Sequence, residues 1–270
     1  MRLFFYISII KMSALGLIET MKVVNGRPVF KNLHISRLAA GLQSINVPIN
    51  EYQLEDRILR LLKYECVDNG LKNFRLRIEV HKNRAHEYMP DIAALKWNCT
   101  LRPLESVKYT WNTDKFILTV LPKHKKMIDA FKNLKHTDRA IYNEALQYAR
   151  ENDCNDALVL NENGTIADAS IYNVFMVKDG IVYTPPLADA PIAGVLRELL
   201  LTRLDTITIQ EKSITIQDLY AADELFLTNA LRGIRAVDEF DSTVYESTIS
   251  KQVFTAFQQV VSEHFGEHLV

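Results

Sequence analysis

One segment, FKNLKHTDRAIYNEA at residues 131–145, carries two lysines that could act as chemical groups. A nucleophilic lysine needs a lowered pKa, which partial burial or neighbouring cations provide. The segment is predicted to be helical, and on a helix Lys135, Arg139 and Tyr142 share one face. Lys132 lies in the same cationic surroundings. Because a solvated basic helix shows the same pattern, the spacing by itself favours ordinary surface charge for both lysines.

Two further segments contain groups that suit a polar or anionic ligand. Gly194, in PIAGVLRELLL, precedes a predicted helix, and a glycine there lets backbone N–H groups approach an anion at the positive helix end. Thr228 and Asn229, in FLTNALRGI, follow a predicted buried strand. Taken singly, these residues also fit an ordinary helix start and an ordinary polar loop.

Two charged residues complete the set of candidates. Asp168, in GTIADASIYNVF, is an acid in a half-apolar strand context, where it could pair with a cationic ligand nitrogen or cap a turn. Arg37, in HISRL, lies beside Ile35 and Leu38 on a predicted helix. A guanidinium can bind a phosphate through two parallel N–H bonds, although an exposed helix arginine is the commoner case.

The overall composition excludes several classes of function. The chain has 270 residues, 48% of them hydrophobic, which suffices for one large domain or two modest ones. Its net charge of −1 gives no sign of nucleic-acid binding. The three cysteines form no CxxC motif, which favours a cytoplasmic protein without a disulfide scaffold. No metal site is expected, because His264 with His268 and His81 with His86 each lack a third ligand nearby in the sequence.

The N-terminal run MRLFFYISIIKMSALG imitates a signal peptide. However, Lys11 interrupts its apolar part, which is too short to span a membrane. We therefore expect no membrane association. We interpret residues 1–11 as a buried strand or as an extension outside the fold, and Met12 is an alternative start of translation.

The predicted elements divide the chain into a small N-terminal α+β domain at 1–104, a linker at 105–111 and a larger domain at 112–270. In the first domain, Asn25-Gly26 is a strong hairpin signal between two β-rich flanks. Two amphipathic helices and two strands follow, in LHISRLAAGLQSINV, EYQLEDRILRLLKYECVDNG, NFRLRIEVHK and AALKWNCTLRPL.

The larger domain is predicted to begin with the strand FILTVLP, which a helical stretch in two parts follows up to Cys154. Turns at Asn163-Gly164 and Asp179-Gly180 then separate three strands. A helix follows Gly194, a strand and a short helix come next, and two more strands precede a final helix at 247–265.

In this order, five blocks of the sequence resemble the fold type IV (class IV) pyridoxal-phosphate enzymes. This family includes branched-chain and D-amino-acid aminotransferases and 4-amino-4-deoxychorismate lyase. The blocks cover about residues 18–240 and are IETMKVVNG, HISRL, LKHTDR, GTIADASIYNVFMVKDGIVYTPPL with AGVLRELL, and ADELFLTNALRGIRAV. The resemblance implies a mixed α+β and α/β fold of the D-amino-acid-aminotransferase type, with a small N-terminal domain, a larger domain with a mixed sheet or barrel, and a homodimer.

The resemblance also implies roles for single residues. Lys135 would bind pyridoxal 5'-phosphate covalently and later move the proton at the substrate carbon, so that Lys132 is the solvated lysine. Asp168 would face the pyridine nitrogen and keep it protonated. Arg37 would bind the phosphate. The remaining phosphate contacts would come from Gly194, the N–H groups of Val195 and Leu196, and the loop at Thr228, Asn229 and Ala230.

The sequence departs from the family pattern at several of these positions. Asp168 stands where most members have the longer glutamate. Ala230 stands where the aminotransferases often have a hydroxyl residue, so only its backbone N–H is left. Tyr142 is a loose substitute for a tyrosine that some members place soon after the lysine. These departures bear more on the substrate than on cofactor binding.

Two reactions are compatible with the resemblance, both on a small-molecule amino substrate. LKHTDR and TNAL look more like the lyase, and Thr20 matches a threonine of the lyase group that could relay a proton to a leaving group. We therefore favour elimination of pyruvate from aminodeoxychorismate to give 4-aminobenzoate, a step of folate biosynthesis. The alternative is a branched-chain or D-amino-acid aminotransferase, because IETMKVVNG and HISRL also resemble those enzymes. A non-catalytic homologue is a third interpretation.

Overall fold

The computed structural model describes residues 16–67, 70–82 and 95–270, so the expectations for residues 1–11, Met12 and His86 lie outside the described part of the chain. The described residues form two compact units. Unit 1 holds those up to Val107 together with Leu134–Asp138, and unit 2 holds Lys108–Asn133 and Arg139–Val270. We propose that these units correspond to the two predicted domains.

Unit 1 is an antiparallel four-stranded sheet with two helices, in the strand order β2-β1-β3-β4. Asn25 and Gly26 both have positive φ, as the predicted hairpin between β1 and β2 requires. The predicted hairpin, helices and strands are therefore confirmed. The elements are β1 Leu17–Val24, β2 Arg27–Pro28, α1 Lys31–Ser44, α2 Glu51–Val67, β3 Phe74–Lys82 and β4 Leu95–Pro103.

The two faces of this sheet differ in chemistry. Along β3, buried apolar residues alternate with charged ones, because successive side chains of a strand point to opposite faces. The face that includes Glu19 of β1 is covered by α1, since Glu19 bonds to His34 and Arg37 of that helix. The opposite face includes Thr20 of β1, which lies directly across from Arg77 of β3.

The lysine segment is extended, so the helix predicted over Lys135 is wrong. Leu134–Asp138 lies antiparallel beside the start of β1: Ile18 N–H donates to the Lys135 carbonyl at 2.7 Å, and Thr137 N–H donates to the Gly16 carbonyl at 2.8 Å. A helix over these residues would leave these β1 backbone groups without their partners. The next helix, α3, spans Ala140–Glu151, so Lys135, Arg139 and Tyr142 do not share a helix face.

Unit 2 contains two five-stranded sheets, in the orders β14-β13-β5-β6-β7 and β10-β9-β8-β11-β12. Most pairs are antiparallel, but β5 is parallel to β6 and to β13, and β9 is parallel to β10. The strands are β5 Ile117–Val120, β6 Asp156–Leu160, β7 Ile166–Ala169, β8 Asn173–Lys178, β9 Ile181–Thr184, β10 Ile209–Glu211, β11 Glu224–Asn229, β12 Gly233–Val237, β13 Glu239–Phe240 and β14 Thr243–Val244. The remaining helices are α4 Val195–Arg203, α5 Ile216–Tyr220 and α6 Thr248–Phe265.

Both sheets of unit 2 contribute to one buried apolar cluster, which includes Leu118, Leu158, Ile166, Val174, Leu225 and Leu227. The predicted strands on either side of the Asp179-Gly180 turn are confirmed, and both turn residues have positive φ. Within the described residues, no helix is long and apolar enough to cross a membrane.

A buried acid fixes the start of α6 in unit 2. Glu224, at the beginning of β11, accepts hydrogen bonds from Ile249 N–H at 2.6 Å, Ser250 N–H at 2.7 Å and the Ser250 hydroxyl at 2.6 Å. These backbone donors belong to the first turn of α6, which has no intrahelical acceptor for them. A carboxylate there also interacts favourably with the helix dipole.

Replacement of Glu224 by alanine should lower the free energy of unfolding by about 2–4 kcal/mol, because three donors lose a charged acceptor. Urea denaturation followed by circular dichroism measures the change. Glu246→Ala is the matched control, since Glu246 is exposed and should change stability by less than about 0.5 kcal/mol. Equal midpoints for Glu224→Ala and the parent protein would contradict this account of the α6 start.

Candidate active site

Asp168 of β7 is the centre of a buried hydrogen-bond network in unit 2. Its Oδ1 accepts from Asn173 Nδ2 at 2.9 Å. Its Oδ2 accepts from the Ile192 N–H at 2.9 Å, the Tyr142 hydroxyl at 2.8 Å and Lys126 Nζ at 3.3 Å. Three of these four donors converge on Oδ2. Because each carboxylate oxygen has two lone pairs, Oδ1 can accept one more hydrogen bond.

Lys126 was not singled out by the sequence, although the structure places it in this network. Its Nζ is buried and donates to the Tyr142 hydroxyl at 2.5 Å. Burial lowers the pKa of Lys126, and the Asp168 carboxylate opposes that effect. Burial, followed by the charge of Asp168, raises the pKa of Tyr142 well above its usual value, so Tyr142 keeps its proton and donates it. The sequence offers no signal for this lysine, since its burial results from long-range packing.

Gly194 is required by a neighbouring side chain. Asn173 Nδ2 donates both to Asp168 and to the Ile192 carbonyl, and this fixes the amide against the start of α4. A Cβ on Gly194 would lie 1.7 Å from Asn173 Oδ1. The φ of Gly194 is −75°, a value open to any residue. Gly194 is therefore required because a larger residue would clash with Asn173. This steric reason is separate from the approach of an anion that the sequence predicts.

Thr228 of β11 places its hydroxyl on the side of the sheet where Asn173 lies. It lies directly across from Asn173 in the pairing of β11 with β8, so the two side chains share a face of the sheet. Its Oγ1 is buried and has no hydrogen-bond partner within the described part of the chain. Gly194 supplies no side-chain cap to the first turn of α4. The Thr228 hydroxyl and the backbone N–H groups of Val195 and Leu196 are hydrogen-bond donors of the kind that an anion requires.

Asn229 and Ala230 shape the loop after β11. Asn229 Oδ1 accepts from the N–H groups of Leu231 at 3.1 Å and Arg232 at 2.8 Å, and the Ala230 carbonyl accepts from the Tyr109 hydroxyl at 2.7 Å. The Asn229 carboxamide is therefore committed to the turn. Of the predicted loop residues, Thr228 has the side chain best placed for a ligand.

The backbone of Lys135 pairs with the start of β1 in unit 1. Leu17 forms an isolated antiparallel bridge with His136, and the Ile18 N–H donates to the Lys135 carbonyl. Burial lowers the pKa of His34, and the charges of Arg37 and Lys135 add to this effect, so Lys135 lies near the pair that His34 forms with Glu19. Thr20 follows Ile18 by two residues on β1, about 7 Å further along the strand, and it is 5% exposed.

Arg37 is held by an acid that the sequence analysis missed. Glu19 of β1 accepts from Arg37 Nε at 2.7 Å and Nη2 at 2.6 Å, and it lies 2.6 Å from His34 Nδ1. Burial alone would raise the pKa of Glu19, but the Arg37 guanidinium and His34 together hold it at about 2. Two of the five guanidinium N–H donors therefore go to Glu19. His34 and Arg37 are three residues apart on α1 and share a helix face. This spacing of two basic side chains was the available sequence signal for an acidic partner such as Glu19.

Replacement of Gly194 by alanine should displace the Asn173 amide and lower the free energy of unfolding by about 1–3 kcal/mol through overpacking. In an Asn173→Ala background the same replacement should cost much less, because the clashing atom is gone. Thermal unfolding of the two single variants and the double variant measures this coupling. Additive losses in the double variant would show that Asn173 is not the reason for the glycine.

Known proteins provide an independent comparison. The sequence profile of the family described as amino-transferase class IV matches residues 16–240. Aminodeoxychorismate lyase of Bacillus subtilis is 24% identical to this chain over 247 residues, which cover 86% of this chain and 80% of that protein. Among the described residues, no group of three or more His, Cys, Asp or Glu side chains could hold a metal ion.

Two solved structures share the fold. A branched-chain aminotransferase of Thermoproteus uzoniensis, determined with norvaline, has a TM-score of 0.75 at 23% identity and covers 94% of this chain and 88% of its own. An aminotransferase of Brucella abortus bound to its cofactor pyridoxal phosphate has a TM-score of 0.74 at 17% identity, with coverages of 92% and 89%. The mixed α/β fold with several sheets is therefore confirmed. Because the profile spans most of its length, this chain belongs to the class IV amino-transferase family, whose members depend on pyridoxal phosphate.

Proposed function

We propose that this chain is a 4-amino-4-deoxychorismate lyase, which releases pyruvate from aminodeoxychorismate and leaves 4-aminobenzoate for folate synthesis. The observation that carries the proposal is the position of Thr20. Thr20 is buried on β1, two residues from Ile18, whose N–H donates to the Lys135 carbonyl. An elimination needs a proton acceptor at the substrate carbon and a proton donor at the leaving oxygen. Lys135 and Thr20 are a pair of groups of these two kinds.

The residues of each unit fit the cofactor of the family. Pyridoxal phosphate, when bound, supplies an electron-withdrawing ring and a phosphate anchor. Asp168 Oδ1 has a lone pair for the ring N–H. The Thr228 hydroxyl, the first-turn N–H groups of α4 at Val195 and Leu196, and a guanidinium such as that of Arg37 are of the kinds that bind a phosphate.

The choice of lysine follows from the sequence block and from the network around Asp168. Lys126 is buried, and its Nζ donates to the Tyr142 hydroxyl and to Asp168 Oδ2, so its role is to compensate the charge of Asp168. Lys135 lies in the LKHTDR block that resembles the family, and its backbone carbonyl accepts from the Ile18 N–H. We therefore assign the covalent link to Lys135.

Borohydride reduction of the cofactor-loaded protein should add the cofactor mass to the peptide that contains Lys135. Lys135→Ala should abolish the visible absorbance and the added mass. Lys126→Met is the matched control: it should keep the covalent link, although it removes a partner of Asp168. Peptide mapping by mass spectrometry distinguishes the two lysines. Added mass on the Lys126 peptide would overturn the assignment, and a colourless protein that binds no cofactor would refute the enzyme proposal.

In the proposed reaction, Lys135 Nζ takes the proton from the substrate carbon next to the amine. Thr20 Oγ1 gives its proton to the leaving oxygen and recovers one from the Lys135 ammonium, so that the C–O bond breaks and pyruvate leaves as its enol. Burial of Thr20 limits competition from water at that oxygen.

Thr20→Val, which removes the hydroxyl at nearly constant volume, should lower the rate of 4-aminobenzoate and pyruvate formation about 100-fold or more, a usual cost for the loss of a general acid. Thr20→Ser should retain most of the activity, and the cofactor absorbance should stay the same in both variants. Coupled assays of the two products with aminodeoxychorismate measure the rates. Unchanged turnover in Thr20→Val would remove Thr20 from the mechanism.

Amino transfer is the second candidate function, because aminotransferases of branched-chain amino acids share this fold. Assays with D-alanine, leucine and glutamate as donors test it, and amino transfer without elimination would reverse our preference. The retained Lys135, Arg37 and Asp168 argue against a non-catalytic homologue. We also propose that the protein acts in the cytoplasm as a homodimer, whose mass light scattering can measure.

A further inference from the structure

The Asp168 carboxylate holds four hydrogen-bond donors of unit 2. Asn173 Nδ2 donates to Oδ1. The Ile192 N–H, the Tyr142 hydroxyl and Lys126 Nζ all donate to Oδ2. A carboxylate offers about four lone-pair sites, and donors that stabilise the anion lower its attraction for a further proton. A ligand N–H that approached Asp168 would therefore be a fifth donor to a group that is almost fully satisfied.

One of these donors also balances the charge of the acid. Lys126 Nζ lies 3.3 Å from Asp168 Oδ2, and the two side chains are 9% and 2% exposed. Opposite charges at such a distance interact strongly where water is largely excluded. Because the two charges cancel, a cationic ligand finds no net negative charge at this pair. A protonated ligand nitrogen would bring a second positive charge to the same carboxylate.

Tyr142 holds this ion pair in position. Its hydroxyl accepts from Lys126 Nζ at 2.5 Å and donates to Asp168 Oδ2 at 2.8 Å, so a second path of hydrogen bonds joins the lysine to the acid. Two further charged groups act on Lys126 with opposite signs, Asp129 and Arg139. The Arg139 guanidinium lies 4.8 Å from the centroid of the Tyr142 ring. Lys126 therefore cannot turn away from Asp168 without losing both of its partners.

We propose that Lys126 competes with the ring nitrogen of pyridoxal phosphate for Asp168, so that this nitrogen is only partly protonated at neutral pH. Lys126 is a positioning residue, because it acts on the ring through Asp168. This inference rests on the proposed function, since it takes Asp168 as the acid that faces the ring. Lys126 thus weakens the effect that the resemblance implies for Asp168, which is to keep that nitrogen protonated.

The competition bears on which reaction is favoured. A less protonated ring withdraws electrons less strongly. When Lys135 takes the proton from the substrate carbon, an electron pair is left there. In elimination this pair forms the new C=C bond while the C–O pair leaves with the oxygen. Amino transfer instead needs the negative charge to be held on the ring until a proton returns. Lys126 therefore favours elimination over amino transfer.

Nitrogen-15 NMR of the protein loaded with ring-labelled pyridoxal phosphate tests the proposal without an activity assay. In the parent protein the ring signal at neutral pH should still move on acidification, as it does for a nitrogen that is not fully protonated. Lys126→Met should shift that signal toward the protonated position and raise the midpoint of its titration by at least about one pH unit. Lys126→Arg, which keeps the positive charge, should titrate as the parent protein does.

Lys125→Met is the matched control, because Lys125 is the exposed neighbour of Lys126 in the sequence. It removes the same charge from the surface and should leave the titration unchanged. The ratio of amino transfer to elimination should rise in Lys126→Met and stay the same in Lys125→Met. If thermal unfolding shows that Lys126→Met does not fold, the signals of the parent protein and of Lys126→Arg decide the question.

A ring nitrogen that is fully protonated at neutral pH in the parent protein, or equal titrations in Lys126→Met and Lys125→Met, would overturn the inference. If that occurs while the cofactor is linked to Lys135 and 4-aminobenzoate forms, the proposed function stands without this role for Lys126. If only amino transfer occurs, the lyase assignment fails, and the titration still decides the role of Lys126. A protein that retains no cofactor would refute both proposals.

Discussion

The pairing of Leu134–Asp138 with the start of β1 is the constraint on which the rest of this account depends. Two backbone hydrogen bonds, from Ile18 and Thr137, fix the register of that short segment. The register puts Lys135 opposite Ile18, two residues from Thr20 of β1 and near the pair that His34 forms with Glu19. A slip of one residue would reverse the direction of the Lys135 side chain relative to β1. The proximity of the proposed reacting lysine to the proposed proton donor follows from this register.

Buried charges in the described structure are mostly compensated within the protein. Asp168 has Lys126 and three neutral donors, Glu19 has Arg37 and His34, and Glu224 has the first turn of α6. A buried charge without such partners would cost several kcal/mol.

Local signals predicted most of the elements, and long-range contacts explain what they missed. Asn25-Gly26 and Asp179-Gly180 determine their own turns, so the hairpins were predictable. The segment at Lys135 was mistaken for helix because its partner, β1, lies more than a hundred residues earlier. Lys126 looks like any surface lysine until packing buries it beside Asp168. Gly194 was recognised, but its steric reason depends on Asn173, which only the fold brings into contact.

The electron density of the borohydride-reduced, cofactor-loaded protein is the most direct test of the central claim. The account predicts continuous density from Lys135 Nζ to the cofactor, with Lys126 still paired with Asp168. Continuous density from Lys126 Nζ would contradict it.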